Sequence, residues 1–186
     1  PTHMANMIGN FGETVYSFPE RAIAVALDKM VSKVTGKRTM FASELPAQVV
    51  GASQGLIHGL ARGLYAFNNA NMLSGKFDIK MLPAIKGVGG EIVRIPTKLL
   101  YAEDEFFKSL IGTAEKYALA ARQATLEGLK GKAFNDRVAK LILDPTPDMR
   151  EAIENEELYR TFQTEMPDFA QKLMALREAR VFGSTY

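Results

Sequence analysis

Ala47-Gln48-Val49-Val50-Gly51-Ala52-Ser53-Gln54-Gly55-Leu56-Ile57-His58-Gly59-Leu60-Ala61-Arg62-Gly63-Leu64-Tyr65-Ala66-Phe67 places a glycine at every fourth position. On a 3.6-residue period Gly51, Gly55, Gly59 and Gly63 form a slowly drifting groove. Gln54, His58 and Arg62 follow one lip and Leu56, Leu60 and Leu64 the other. Each glycine inside a helix costs roughly 1 kcal/mol against alanine, so the four together cost about 3 to 4 kcal/mol unless something packs on them. The stripe therefore predicts a second helix lying in the groove.

The candidate for that second helix lies downstream. A long helix is expected from near Thr97 or Ala102 to about Lys130, with Glu103, Asp104 and Glu105 at its start, where the helix dipole favours acids. Phe107, Leu110, Ile111, Ala114, Tyr117, Ala118, Ala121 and Thr125 share one face, which becomes small toward its end. Two small-residue faces approach below the usual ~8 to 10 Å separation. Gly51, Gly55, Gly59 and Gly63 with Ala114, Ala118 and Ala121 are accordingly the expected helix-packing interface.

The remaining elements are read around this pair. The first residues, 1–4, look like a cloning scar, and residues 5–16 read as a loose arm. Ser17-Phe18-Pro19-Glu20 resembles a cap followed by a first turn. Ala22, Ile23, Ala26, Leu27, Met30, Val31 and Val34 then follow a helical period, predicting a core-facing helix that ends around Gly36. Ser43-Glu44-Leu45-Pro46 opens the glycine helix, Asn68 to Asn71 weaken it, and Gly75 is expected to end it. The proline- and glycine-rich stretch 76–96 reads as a connector, with one short helix at Ile79 to Ile85 and an extended segment at Glu91 to Pro96. Phe134, Val138, Leu141 and Ile142 mark a short helix stopped by Asp144-Pro145; Thr146-Pro147-Asp148 starts another, and Met166-Pro167-Asp168 a last one. The whole is an all-α, irregular bundle of five to six helices, one helical unit over 5–186.

Composition narrows the function. Hydrophobic residues make up 47% of 186, which excludes wholesale disorder. Lys and Arg total 23 against 21 Asp and Glu, interleaved along the chain, which argues against a dedicated nucleic-acid surface. There is no cysteine, hence no disulfide and no thiolate metal site. Helix-bundle carboxylate metal sites use Glu-x-x-His pairs, and none accompanies Glu103, Asp104, Glu105 and Glu115. His58 sits on a helix lip with no nucleophile elbow, and the Glu154, Glu156, Glu157 cluster reads as a solvated face. Gly87-Val88-Gly89-Gly90 lacks the dinucleotide spacing and a preceding strand. Phe106-Phe107 reads as core rather than as a base-stacking platform. No catalytic, cofactor or metal residue is assigned, and no enzyme is expected.

The segment Gly89-Gly90-Glu91-Ile92-Val93-Arg94-Ile95-Pro96-Thr97-Lys98-Leu99-Leu100, continuing through Tyr101 to Lys108, resembles very large polyvalent, virion-associated or internal proteins of phages and prophages. The alanine-rich helix, the Asp144-Pro145 break and Leu158-Tyr159-Arg160-Thr161-Phe162-Gln163 share the likeness, which covers roughly residues 45 to 178. The resemblance implies a non-enzymatic helical module of a protein packaged in, or ejected from, a phage particle, located in the virion or the host cytoplasm. Its partners would be other virion or host proteins, other parts of a larger polyprotein-like chain, or copies of itself; nucleic acid is disfavoured. The alternatives are a glycine-striped segment that inserts into a membrane or oligomerises, and a small binder of nucleic acid or a host factor through Lys29, Lys33, Lys37 and Arg38. The polar residues once per turn, Gln54, His58 and Arg62, argue against a spanning helix.

Overall fold

A glycine stripe admits a neighbouring backbone, and in the computed structural model of the chain, which describes residues 2–73 and 88–161, α2 and α3 make the most extensive contact of any pair. Five helices run in the order α1 (Thr2–Thr35), α2 (Glu44–Leu73), α3 (Val88–Leu126), α4 (Gly131–Leu143) and α5 (Pro147–Arg160). All described elements are helices, so the chain is an all-α multi-helix bundle. Ala114 stands beside Gly51, Leu110 beside Gly55, Phe106 beside Gly59 and Ala102 beside Gly63. One number rises by four as the other falls by four, which sets the two helices antiparallel with the same repeat.

Around this pair, α1 lies against α2 and α3, while α4 and α5 pack on α3. Leu119, Ala120, Leu141 and Met149 form one core cluster across α3, α4 and α5, flanked by Val138, Ile142, Ala152 and Ile153. Phe107, Leu110 and Ile111 form a second, against Ala52 and Phe106. The Phe106 and Phe107 rings meet edge to face at 4.9 Å, so this pair belongs to the core.

Local chemistry places the later boundaries. Gly128, at φ 71°, takes the left-handed position after α3; its N–H donates to the Thr125 carbonyl at 2.9 Å and that of Leu129 to Ala124 at 3.1 Å. This paired closure ends the helix at Leu126, four residues before the expected Lys130. Asp144-Pro145 stops α4 as expected, and Thr146 caps α5, its hydroxyl accepting the Met149 N–H at 3.3 Å with Pro147 in the first turn. Thr146→Ala is expected to lower stability by about 1 kcal/mol, measured as a shift of the denaturant midpoint at unchanged slope. Asn69 interrupts α2 at φ −114°, ψ 19°, and its amide donates to the Tyr65 carbonyl at 2.9 Å. This is the competition with the backbone expected of the asparagine run.

Three expectations are corrected. Residues 5–16 are not a loose arm but the first turns of α1, and Ser17 is not its cap. The apolar residues of the segment, Ile8, Phe11 and Val15, face outward, and its inward face is polar: Asn10, Thr14, Ser17 and Arg21 are all buried. Thr14 donates back to the Asn10 carbonyl at 2.8 Å and Ser17 to that of Thr14 at 2.7 Å, so the hydroxyls are satisfied inside the helix. Pro19 is carried within α1 on an exposed side, one turn after exposed Val15, whose carbonyl the proline has no N–H to bond.

Next, the connector is shorter than expected. Residues 88–96 belong to α3, not to an extended segment, and Pro96 is carried inside the helix at an exposed position beside exposed Ile95. Glu103, Asp104 and Glu105 therefore sit in mid-helix instead of at a helix start. The rest of the connector, with the Ile79 to Ile85 helix and the Gly75 stop, lies outside the described residues, as does the helix expected from Met166.

The largest correction concerns α1 as a core helix. Ile23, Leu27, Met30, Val31 and Val34 all face outward, Val34 being 90% exposed, and Ala22 and Ala26 are exposed with them. The side that packs inward carries Asn10, Thr14, Ser17, Arg21 and Val25.

Candidate functional site

The predicted packing interface is present, with a different set of partners on α3. A side-chain carbon added at Gly51 would lie 2.7 Å from the Thr113 carbonyl oxygen; at Gly55, 2.8 Å from that of Leu110; at Gly59, 2.8 Å from that of Phe106; at Gly63, 2.9 Å from that of Ala102. In every case the nearest atom is a backbone oxygen, so the groove admits the α3 main chain itself. Ala114 joins it beside Gly51, its Cα being 2.9 Å from the added carbon. Ala118 and Ala121 are fully buried, but no glycine of the stripe has either among its nearest neighbours. Phe106 and Leu110 take the places assigned to them: a helix presents backbone between side chains that lean to either side, and residue size does not decide which residue sits over a glycine.

Beyond the N-terminal end of this seam lies a group of charges that the sequence did not single out. Glu44 is wholly buried, and its carboxylate accepts four hydrogen bonds. Phe41 N–H (2.8 Å) and Arg122 Nε (3.0 Å) donate to one oxygen; Arg122 Nη2 (2.7 Å) and Arg21 Nη1 (3.0 Å) donate to the other. The second Nη of Arg21 bonds Glu115, which is also buried. Residues from α1, α2 and α3 thus close one alternating network, with every lone pair of the central carboxylate used. Burial pushes the Glu115 carboxyl up against the opposing pull of Arg21. On Arg122 burial opposes the charge, but the hydrogen bonds and charge of Glu44 outweigh it and raise the guanidinium. A second group joins α5 to α1: Arg160 bonds Glu156 and Glu20, the latter at 2.6 Å, and approaches Glu13 at 3.6 Å. These salt-linked groups hold the helices together and present no open, reactive atom.

The Glu154, Glu156, Glu157 cluster is not simply a solvated face. Glu156 is bound by Arg160, and Glu157 packs its carboxyl over Gly112 of α3. Burial raises Glu157 to about 7; Arg62 and Lys108 oppose the shift, while Glu105 and Glu154 add to it. Because the folded value exceeds the ordinary carboxylate value, the folded chain holds a proton that the unfolded chain releases, and stability falls as pH rises through that interval. Glu157→Gln should therefore match the native chain in melting temperature near pH 4.5 and exceed it above about pH 7. Thermal melts across that range check the sign.

Of the α3 acids, Glu105 pairs with Arg62 of α2 at 2.7 Å and Asp104 with Lys108 at 2.7 Å, and Glu115, further along the helix, with Arg21. Among the described residues no group of three or more His, Asp or Glu side chains is placed to hold a metal. His58 is exposed on α2. Of the basic residues at the end of α1, Lys29, Lys33 and Lys37 are exposed, while Arg38 lies over the Phe41 ring at 5.1 Å.

What remains is the outside of the bundle. Val49, Val50, Leu56, Ile57, Leu60, Leu64 and Tyr65 of α2 are each about half exposed or more, on the flanks and back of the glycine face. Met4, Ile8, Phe11 and Val15 form a similar outward stripe on α1, and Ile23, Leu27, Met30 and Val34 another. A groove of about 490 Å³, lined by Met7, Leu60, Leu64, Phe67, Leu99 and Phe106, connects α1 to the α2 surface with almost no polar lining. The apolar period of α1 and α2 was legible in the sequence; that it points away from the core was not.

No family model, curated protein or solved structure matches the chain. Among the described residues no helix is long and apolar enough to cross a membrane.

Proposed function

We infer that the chain is a non-enzymatic helical interaction module, and that its working parts are the outward apolar surfaces of α1 and α2. One observation carries this reading: both helices bury polar residues or glycine and leave their large apolar side chains in water. Monomeric proteins seldom expose contiguous apolar patches beyond ~300 to 600 Å². Here about eighteen large residues are open on two helices, seven of them on α2 alone. A surface of this kind is completed by a partner. Arg21, Glu44, Glu115 and Arg160, all buried, are engaged in salt links between helices, consistent with a structural role.

The likeness of residues 89–108 to phage virion-associated and internal proteins supports placing the module in a phage particle, or in the host cytoplasm after delivery. Mass spectrometry of purified particles tests this placement. The chain should copurify with virions, and Leu56→Gln with Leu60→Gln should abolish copurification without lowering the melting temperature. Particles without the chain would remove the virion role; a double variant that still copurifies would remove the surface from it.

A further inference from the structure

The outward side of α2 has features that select its occupant. Val50, Ile57 and Leu64 recur seven residues apart, and Leu60 and Phe67 follow Ile57 and Leu64 by three. That is the spacing of a helix that docks knobs into the holes of another. Its opposite side is already occupied by α3 along the glycines. We propose that this side of α2, from Val49 to Phe67, is the interface of a two-fold homodimer in which the α2 helices of two copies pack antiparallel, with Ile57 close to the axis. This rests on the reading of the outward apolar surface as the working part, and it names the partner.

Three observations favour a second copy. The first is area. Val49, Val50, Leu56, Ile57, Leu60 and Leu64 are 47 to 66% exposed and offer on the order of 600 Å², and the groove beside them adds more. The sum approaches the ~800 Å² that each partner contributes to a standard interface. The second is charge. Between Val49 and Ala61 there is no Asp, Glu, Lys or Arg, so the self-pairing of like surfaces that a two-fold axis imposes brings no like charges together. A helix resting on a bilayer would instead carry cations beside its apolar side, and Arg62, the cation nearest this surface on α2, is held by Glu105 at 2.7 Å. The third is shape. The surface carries exposed Val49 and Val50 at one end and the groove at the other, beside Leu64 and Phe67. Antiparallel pairing about Ile57 sets the valines of each copy against the groove of the other.

Sedimentation velocity of the full chain, from low to high micromolar concentration, should show a dimer. Ile57→Arg with Leu64→Arg should sediment as a monomer with native circular dichroism, since both side chains are exposed in the single chain, and its melting temperature should not rise with protein concentration as that of the native dimer does. Because the chain has no cysteine, Ile57→Cys introduces a single thiol, and mild oxidation should link most of the protein into covalent dimers. Leu143→Cys on α4, 86% exposed, should not be linked in this way. Dimers that persist in the arginine variant, or equal linking through both thiols, overturn the assignment. A native chain that stays monomeric also overturns it, and flotation with phosphatidylcholine and phosphatidylglycerol vesicles then separates two failures. A monomer that floats keeps the outward surface as the working part and removes only the second copy. A monomer that stays unbound, and that is also absent from particles, removes both.

Discussion

Gly55→Leu is expected to destabilise the chain by about 3 kcal/mol or more, a fall in melting temperature on the order of 10 °C for a chain of this size. The new Cβ alone would stand 2.8 Å from the carbonyl oxygen of Leu110 and 2.9 Å from its Cα. Both are main-chain atoms, so no rotamer change relieves the clash; α2 and α3 must separate, and the pairs at Gly51, Gly59 and Gly63 separate with them. Gly55→Ala is the sharper case. Alanine gains roughly 1 kcal/mol of helix propensity over glycine, yet the net change should still be a loss, because the same backbone contact is violated. Gly12 provides the contrast: it lies inside α1 and nothing is within 4 Å of an added carbon. Gly12→Ala should stabilise by about 0.5 to 1 kcal/mol. Denaturant unfolding of these variants settles the matter. Should Gly55→Ala and Gly12→Ala move the midpoint in the same direction by similar amounts, the close approach of α3 to the stripe is wrong.

The stripe was legible because glycine in mid-helix has a cost that only a close neighbour offsets, and the small residues of α3 marked that helix as the neighbour. The boundaries at Asp144-Pro145 and Thr146 were legible for a similar reason, each being set by the chemistry of two or three adjacent residues, whereas the stop at Gly128 was not, because a glycine among alanines reads as part of a small face until its φ of 71° is seen. Register was harder. Small size marked Ala118 and Ala121, whereas the groove is filled by carbonyls of Thr113, Leu110, Phe106 and Ala102, and every residue type has a carbonyl. The orientation of α1 was out of reach. An apolar period says that one face differs from the other, and the ordinary inference turns the apolar face inward. Here Arg21 and Ser17 point inward because Glu44, Glu115 and Gln48 await them, on helices distant in sequence. No local pattern announces such a network; it becomes visible only when α1, α2 and α3 are brought together. The outward surface of α2 was hidden by the same habit, since Leu56, Leu60 and Leu64 read as the apolar edge of a groove, not as its back.

Glu44→Gln should be as damaging as any substitution at the glycines. The carboxylate is 0% exposed and joins three segments: the Phe41 amide before α2, Arg21 of α1 and Arg122 of α3. Glutamine keeps the shape but removes the charge and turns one acceptor into a donor, facing two guanidinium groups at close range. Arg21 retains Glu115, while Arg122 loses its bidentate partner. Removing one member of a buried ion network costs on the order of 3 to 5 kcal/mol, because the charges left behind stay desolvated. The exposed Arg62–Glu105 pair gives the scale for comparison: Arg62→Ala should cost ~0 to 1 kcal/mol, although its 2.7 Å contact is just as short. Replacing the whole group is a different experiment. Arg21→Met, Glu44→Met and Arg122→Met together remove both cations along with the anion, and should recover most of the loss. In that triple variant Glu115 remains, and burial already pushes its carboxyl upward, so it takes a proton and stays neutral in place. Melts of the single and triple variants distinguish the outcomes. A Glu44→Gln chain that melts within a few degrees of the native one would mean that these charges are not joined as described, and that α1 is not held by its polar side.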